Sequence, residues 1–112
     1  KEARKRGVLF DVGHGGGSLL FRQVVPAIRQ GWTPDSISTD LHVSSSTGGM
    51  KDMLNVMSKY MAMGMSVEDI LAVVRNGFDA AFVSDARRQA MLLGFEAYVA
   101  LNGPGKPASA SR

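Results

Sequence analysis

Only two stretches of this 112-residue chain read as β-strand, and a helical stripe lies between them. Gly7–Val12 (GVLFDV) is a short apolar run without clean alternation, so it is expected to be a strand covered on both faces. Asp35–Asp40 (DSISTD) is the second, opened by the turn at Pro34. Phe21, Val24, Val25 and Ile28 recur at i, i+3, i+4 and i+7 between them and form one apolar helical face. Strand, helix and strand at this spacing make a βαβ unit with parallel strands and a right-handed crossover. Two parallel strands cannot close a sheet, and each leaves an edge open. The chain is therefore expected either to belong to a larger α/β sheet or barrel, or to associate with another copy through those edges.

The rest of the sequence reads as helix and loop. Ser18 is a possible cap for the first helix, Pro26 is expected to kink or split it, and Gly31 to end it as a C′ glycine. A polar loop, Leu41–Gly49, precedes a second stripe of Met50, Met53, Leu54, Met57, Tyr60 and Met61. Ser66 and Asp69 have capping-box spacing before Val67, Ile70, Leu71 and Val74. Ser84 and Asp85 open a last helix with an apolar face of Met91, Leu92, Phe95, Tyr98 and Val99. We read residues 1–101 as the folded part and 102–112 (NGPGKPASASR) as a disordered low-complexity tail.

Composition narrows the partners. The net charge is +3, much of it in KEARKR at the start, with no interleaved aromatic residues. That run reads as a solvated helix end, and no nucleic-acid partner is expected. No apolar run approaches the ~20 residues that span a bilayer, and no secretion signal is recognisable, so a cytoplasmic protein without a membrane partner is expected. The chain has no Cys, which excludes disulfides and thiolate metal ligands.

In parallel α/β folds, sites lie at the carboxyl ends of the strands. The first strand ends at Asp11-Val12-Gly13-His14 and the second at Ser38-Thr39-Asp40-Leu41-His42. Neighbouring strands lie about 5 Å apart, so His14 and Asp40 are expected on one rim. Carboxylate and imidazole suit zinc or a similar divalent ion, and Asp40 suits a general base on metal-bound water. Gly15, Gly16 and Gly17 allow close backbone approach and can aim N–H groups at an oxygen. The loop is not a P-loop, since no Gly-Lys-Ser/Thr follows, and Ser18 replaces the third glycine of a dinucleotide fingerprint. Plainer roles stand beside these. His14 also suits a helix N-terminus, Asp40 a turn, Asp11 a structural contact, and the methionines core packing. His42 suits either the loop surface or support behind a site.

The motifs GVLFDVGHGGGSLLFR, PDSISTDLH and MKDMLNVMSKYMAMGMSVEDIL together resemble the end of a barrel in the amidohydrolase superfamily, nearest to its dihydroorotase-like deacetylases. The resemblance spans about Arg6 to Leu71. It implies the C-terminal part of a TIM-like (β/α)8 barrel, with the two strands as the seventh and eighth. It also implies a metal-dependent enzyme that hydrolyses an amide- or ester-type bond of a small-molecule substrate. Asp40 then matches the family's metal-touching, proton-accepting aspartate after strand eight. His14 matches a histidine that faces the substrate, with Gly15, Gly16 and His42 beside the substrate pocket. The family's other metal ligands have no counterpart here, so the chain alone is expected to be inactive without the missing part of the barrel. Val73–Val99 resembles instead the closing helices of adenosine deaminases of the same superfamily. A purine deaminase is thus the first alternative, although Leu41 stands where a second Asp would be expected after Asp40. A non-catalytic α/β module that binds an anion at Gly13–Ser18 is the second.

Overall fold

The structure, a computed structural model, describes residues 2–15, 17–47 and 51–104. The elements in order are α1 (Glu2–Lys5), β1 (Asp11–Gly13), α2 (Phe21–Arg29), β2 (Ser36–Ser38), α3 (Met53–Ala62), α4 (Val67–Asp79) and α5 (Asp85–Asn102). The fold is α/β, with two parallel strands and five helices. β1 pairs with β2 in the register Asp11↔Ser36, Val12↔Ile37 and Gly13↔Ser38.

Both strands are shorter than their apolar runs. Val8 and Leu9 lie outside β1, and Leu9 is 80% exposed. The expected burial on both faces does not occur, because no third strand or helix covers this stretch of the described chain. Val8 instead closes the end of α1, donating its N–H to Ala3 O, while Phe10 N–H donates to Asp35 Oδ2 at 2.8 Å. The same carboxylate pairs with Arg4 at 2.9 Å, and Arg4 also donates to Thr33 O at 2.6 Å. Arg4 is therefore not the solvated charge that its basic run suggests. It ties α1 to the turn before β2 and lies over the rings of Phe10 and Trp32.

The two faces of the strand pair differ sharply. Val12 and Ile37 point into a core with Leu19, Ile28, Val56, Tyr60, Met65, Ile70 and Val73. Asp11 points to the opposite face, where it accepts from Ser36 Oγ at 2.7 Å and Ser38 Oγ at 2.9 Å. One face is thus packed on helices, and the other is polar and open.

Local signals placed most helix ends. Ser66 Oγ accepts from Asp69 N–H, and the Asp69 carboxylate accepts from Ser66 N–H, each at 3.0 Å, so the short Asp closes the capping box. Gly31 has φ +75° and follows α2, with its N–H on Ile28 O and that of Trp32 on Ala27 O. This is a Schellman end, in which glycine takes the left-handed position without a Cβ penalty. Pro26 does not split α2. It sits exposed within the helix and forfeits only its own amide donor. Ser18 does not cap α2, whose N-cap is Leu20 with no side-chain bond.

The second stripe is displaced by rotation. Met53, Val56, Met57 and Tyr60 face the core, whereas Leu54 is 74% exposed and Met61 is also exposed. Met50 lies outside the described residues. α5 has no buried residue and rests on α4 through Phe78–Phe95 and an Arg75–Glu96 ion pair. It includes Asn102, the first residue of the expected tail, and the tail from 105 on lies outside the described residues.

Tyr60 is fully buried, yet its hydroxyl has no hydrogen-bond partner. An unsatisfied buried hydroxyl costs about 1–3 kcal/mol. Tyr60→Phe is therefore expected to raise stability by about 1 kcal/mol, read from the denaturant midpoint at pH 8. Burial, and secondarily the Asp11 charge, pushes the Tyr60 pKa up from 10.0 to about 12. The folded state thus keeps a proton that the unfolded chain has lost. Stability from this group is complete below pH 10 and disappears as pH rises toward 12, and the Phe variant should lack that alkaline loss.

Candidate functional site

Parallel pairing in this register brings the carboxyl ends of β1 and β2 side by side. The ladder continues one step further, with His14 N–H on Ser38 O at 3.0 Å. The chain after β1 then turns through its glycines. Ser18 braces that turn: its Oγ accepts from Gly15 N–H at 2.7 Å and donates to Gly13 O at 3.0 Å. The hydroxyl that looked like a helix cap is spent inside the loop.

Asp40 follows β2 with φ +46°, a left-handed conformation that Asp tolerates better than most residues. Its carboxylate lies against the bare backbone of the facing loop. A Cβ on Gly15 would overlap Asp40 Oδ2 and lie 2.8 Å from Cγ. A Cβ on Gly13 would lie 3.2 Å from Ser38 Oγ and 3.4 Å from Asp40 Cβ. The missing Cβ at Gly15 is thus what lets the Asp40 side chain rest against the loop, and Gly13 allows a tight approach beside it. Asp40 is exposed, on the same side as Asp11, Ser36 and Ser38.

His14 alternates to the other side. It is only 7% exposed, and its Nε2 lies 2.9 Å from Lys59 Nζ on α3. Burial first, and the Lys59 charge second, holds its pKa below 6.5. The ring is therefore neutral at pH 7. An ammonium can only donate, so Nε2 accepts and the ring proton sits on Nδ1, which is buried without a partner. The structure thus brings Asp40 and the backbone of His14 to one end of the sheet, while their side chains leave on opposite faces.

His42 is exposed two residues beyond Asp40. Its Nδ1 meets Ser44 Oγ at 2.9 Å, and its N–H donates to Ser45 Oγ at 3.0 Å. It heads the serine turn, and its hydrogen bonds run to Ser44 and Ser45. Gly16 lies outside the described residues. Lys59 was not singled out from the sequence. Its only signal is a lone cation inside the apolar run MLNVMSKYMAM, one residue before a fully buried tyrosine.

Among the described residues, no three His, Asp or Glu side chains are grouped as a metal site requires. Asp40 is one hard oxygen donor, whereas catalytic zinc takes three protein ligands. The residues present therefore fit a metal only as one corner of a larger donor set. A groove of about 420 Å³ is lined by Leu9, Asp35, Ser36, Asn76, Asp79 and Ala80. It opens at the amino ends of the strands, away from Asp40. Among the described residues, no helix is long and apolar enough to cross a membrane.

The chain is similar to proteins named deacetylases. It is 42% identical over 71 residues to one from Agrobacterium fabrum, covering 62% of this chain and 17% of that protein. It is 40% identical over 68 residues to one from Brucella anthropi, covering 61% and 17%. It is 34% identical over 74 residues to one from Enterococcus faecalis, covering 65% and 20%. The chain therefore spans about a fifth or less of the length of these relatives. No family model matches it. No solved structure matches it.

Proposed function

We propose that this chain is the closing part of a (β/α)8 barrel in a metal-dependent deacetylase that hydrolyses an amide- or ester-type bond of a small molecule. One observation carries the reading: the Asp40 carboxylate lies over the Gly13–Gly15 backbone at the carboxyl end of two parallel strands. The two-faced strand pair supports it. A barrel wall has helices outside and side chains within, and here the core side meets α3 and α4 while Asp11, Ser36 and Ser38 line the open side. The similarity to proteins named deacetylases weighs toward an acylated substrate rather than a purine.

In this reading, Asp40 gives one carboxylate oxygen to a divalent ion such as zinc, and the other ligands come from strands outside this chain. The ion, when bound, supplies water that ionises near neutral pH. Asp40 would act as the general base, accepting a proton from the attacking water and passing it to the leaving nitrogen of an amide or oxygen of an ester. Gly15, Gly16 and His42 contact the acyl substrate. The open edges and exposed apolar residues such as Leu9 and Phe82 are covered by the rest of the barrel.

The test uses the intact longer protein. Treatment with a zinc chelator is expected to lower acetate release from acetylated amino acids by about a hundredfold or more, and added zinc to restore it. Intact protein that retains no metal by elemental analysis, and releases no acetate, would remove this reading.

A further inference from the structure

We infer that Lys59 is a positioning residue for Asp40, acting through His14 and the glycine loop. The inference rests on the role proposed for Asp40. His14 stands between Gly13 and Gly15, where an added Cβ would lie 3.4 Å from Asp40 Cβ and would overlap Asp40 Oδ2, respectively. Its own ring leaves on the opposite face and is buried, with Nε2 at 2.9 Å from Lys59 Nζ. Its backbone N–H is fixed on Ser38 O, one strand step before the segment that leads to Asp40. The strip Gly13-His14-Gly15 is thus held from below by α3 and touched from above by the carboxylate.

This geometry gives His14 a task that needs no contact with substrate. Gly13 and Gly15 have no side chains with which to anchor themselves, so the only side-chain anchor within Gly13-His14-Gly15 is the imidazole. Ser18 braces the loop within itself, but its bonds run to Gly13 and Gly15 and do not reach a helix. The Lys59–His14 contact spans 45 residues of sequence and fastens the loop to the helix layer. A loop so fastened presents Gly15 at one height, and that height sets where the Asp40 carboxylate can rest.

The experiment uses Lys59→Met, Lys59→Arg and His14→Phe, with the Lys59→Met/His14→Phe double variant, in the intact protein. Two readouts are taken, amide hydrogen exchange and steady-state kinetics on an acetylated substrate. Lys59→Met is expected to speed exchange at His14 and Gly15 by about tenfold, leaving the α4 amides unchanged. It should lower kcat by about tenfold to a hundredfold with KM little altered, since a small misplacement of a reacting group acts on chemistry. Lys59→Arg, which keeps the charge and the donors, should retain most of the rate. In the His14→Phe background Lys59→Met should add nothing, because both changes break one linkage.

Unchanged exchange at His14 and Gly15 in Lys59→Met overturns the inference. So does additivity in the double variant, or a rise in KM with kcat intact, which would put these side chains on the substrate. Should the wild-type protein release no acetate, the deacetylase reading fails on its own. The exchange cycle then decides the clamp separately.

Discussion

Asp40→Asn, in the intact protein, is expected to lower turnover of an acetylated substrate by about a thousandfold, with stability nearly unchanged. Asn is close to isosteric with Asp, so the side chain can still lie on the Gly15 backbone. What disappears is the negative charge and the proton acceptor. Loss of a positioned general base costs about 10²–10⁴ in rate, and loss of one ligand charge adds to that. The plainer role for Asp40, a turn residue with φ +46°, leads to the opposite result. Asn enters the left-handed region at least as readily as Asp, so a structural residue would accept the change without loss. Rates measured at saturating substrate, with a denaturation curve for each protein, separate the two. An Asn variant that turns over substrate at the parent rate would leave Asp40 as a turn residue.

Much of the architecture was legible because it is local. The βαβ order follows from two short strand-like runs and one helical stripe, and the strands pair in parallel as that order implies. Gly31 and the Ser66–Asp69 pair announced their helix ends within a few residues. Features that depend on distant contacts were not legible. Val56 and Leu54 are both apolar and two residues apart, and only the direction from which the sheet arrives decides that Val56 is buried. Gly7–Val12 reads as a doubly covered strand because its composition suits one, yet Val8 and Leu9 lack covering elements among the described residues.

The candidate site divides in the same way. That β1 and β2 end together follows from pattern and spacing, whereas the glycines signal a close approach without naming Asp40 as the group that approaches. That His14 turns toward α3 does not, because its partner is 45 residues away on a helix whose rotation is set by the core. Strand alternation held the clue. Val12 belongs to the core side, and His14, two residues later, continues on that side. Asp40 is two residues beyond Ser38, on the side of Asp11.

Gly15→Ala isolates the position of the carboxylate from its chemistry. Gly15 is not among the glycines with positive φ, so alanine is acceptable to the backbone at this position. The added methyl would overlap Asp40 Oδ2 and lie 2.8 Å from Cγ and 3.2 Å from Ser18 Oγ. Something must move, and the cheapest motion is rotation of the exposed Asp40 side chain away from the loop. Such a rotation costs about 1 kcal/mol, far less than shifting a hydrogen-bonded backbone. The variant should therefore unfold within about 1 kcal/mol of the parent. Its carboxylate, still present, would be displaced by about 1 Å, and a displacement of that size costs about a hundredfold in rate. Near-parent stability with about a hundredfold loss of kcat is the expected pair of results. An alanine variant with undiminished kcat would mean that the carboxylate works from elsewhere, and the placement of Asp40 over Gly15 would have no part in the reaction.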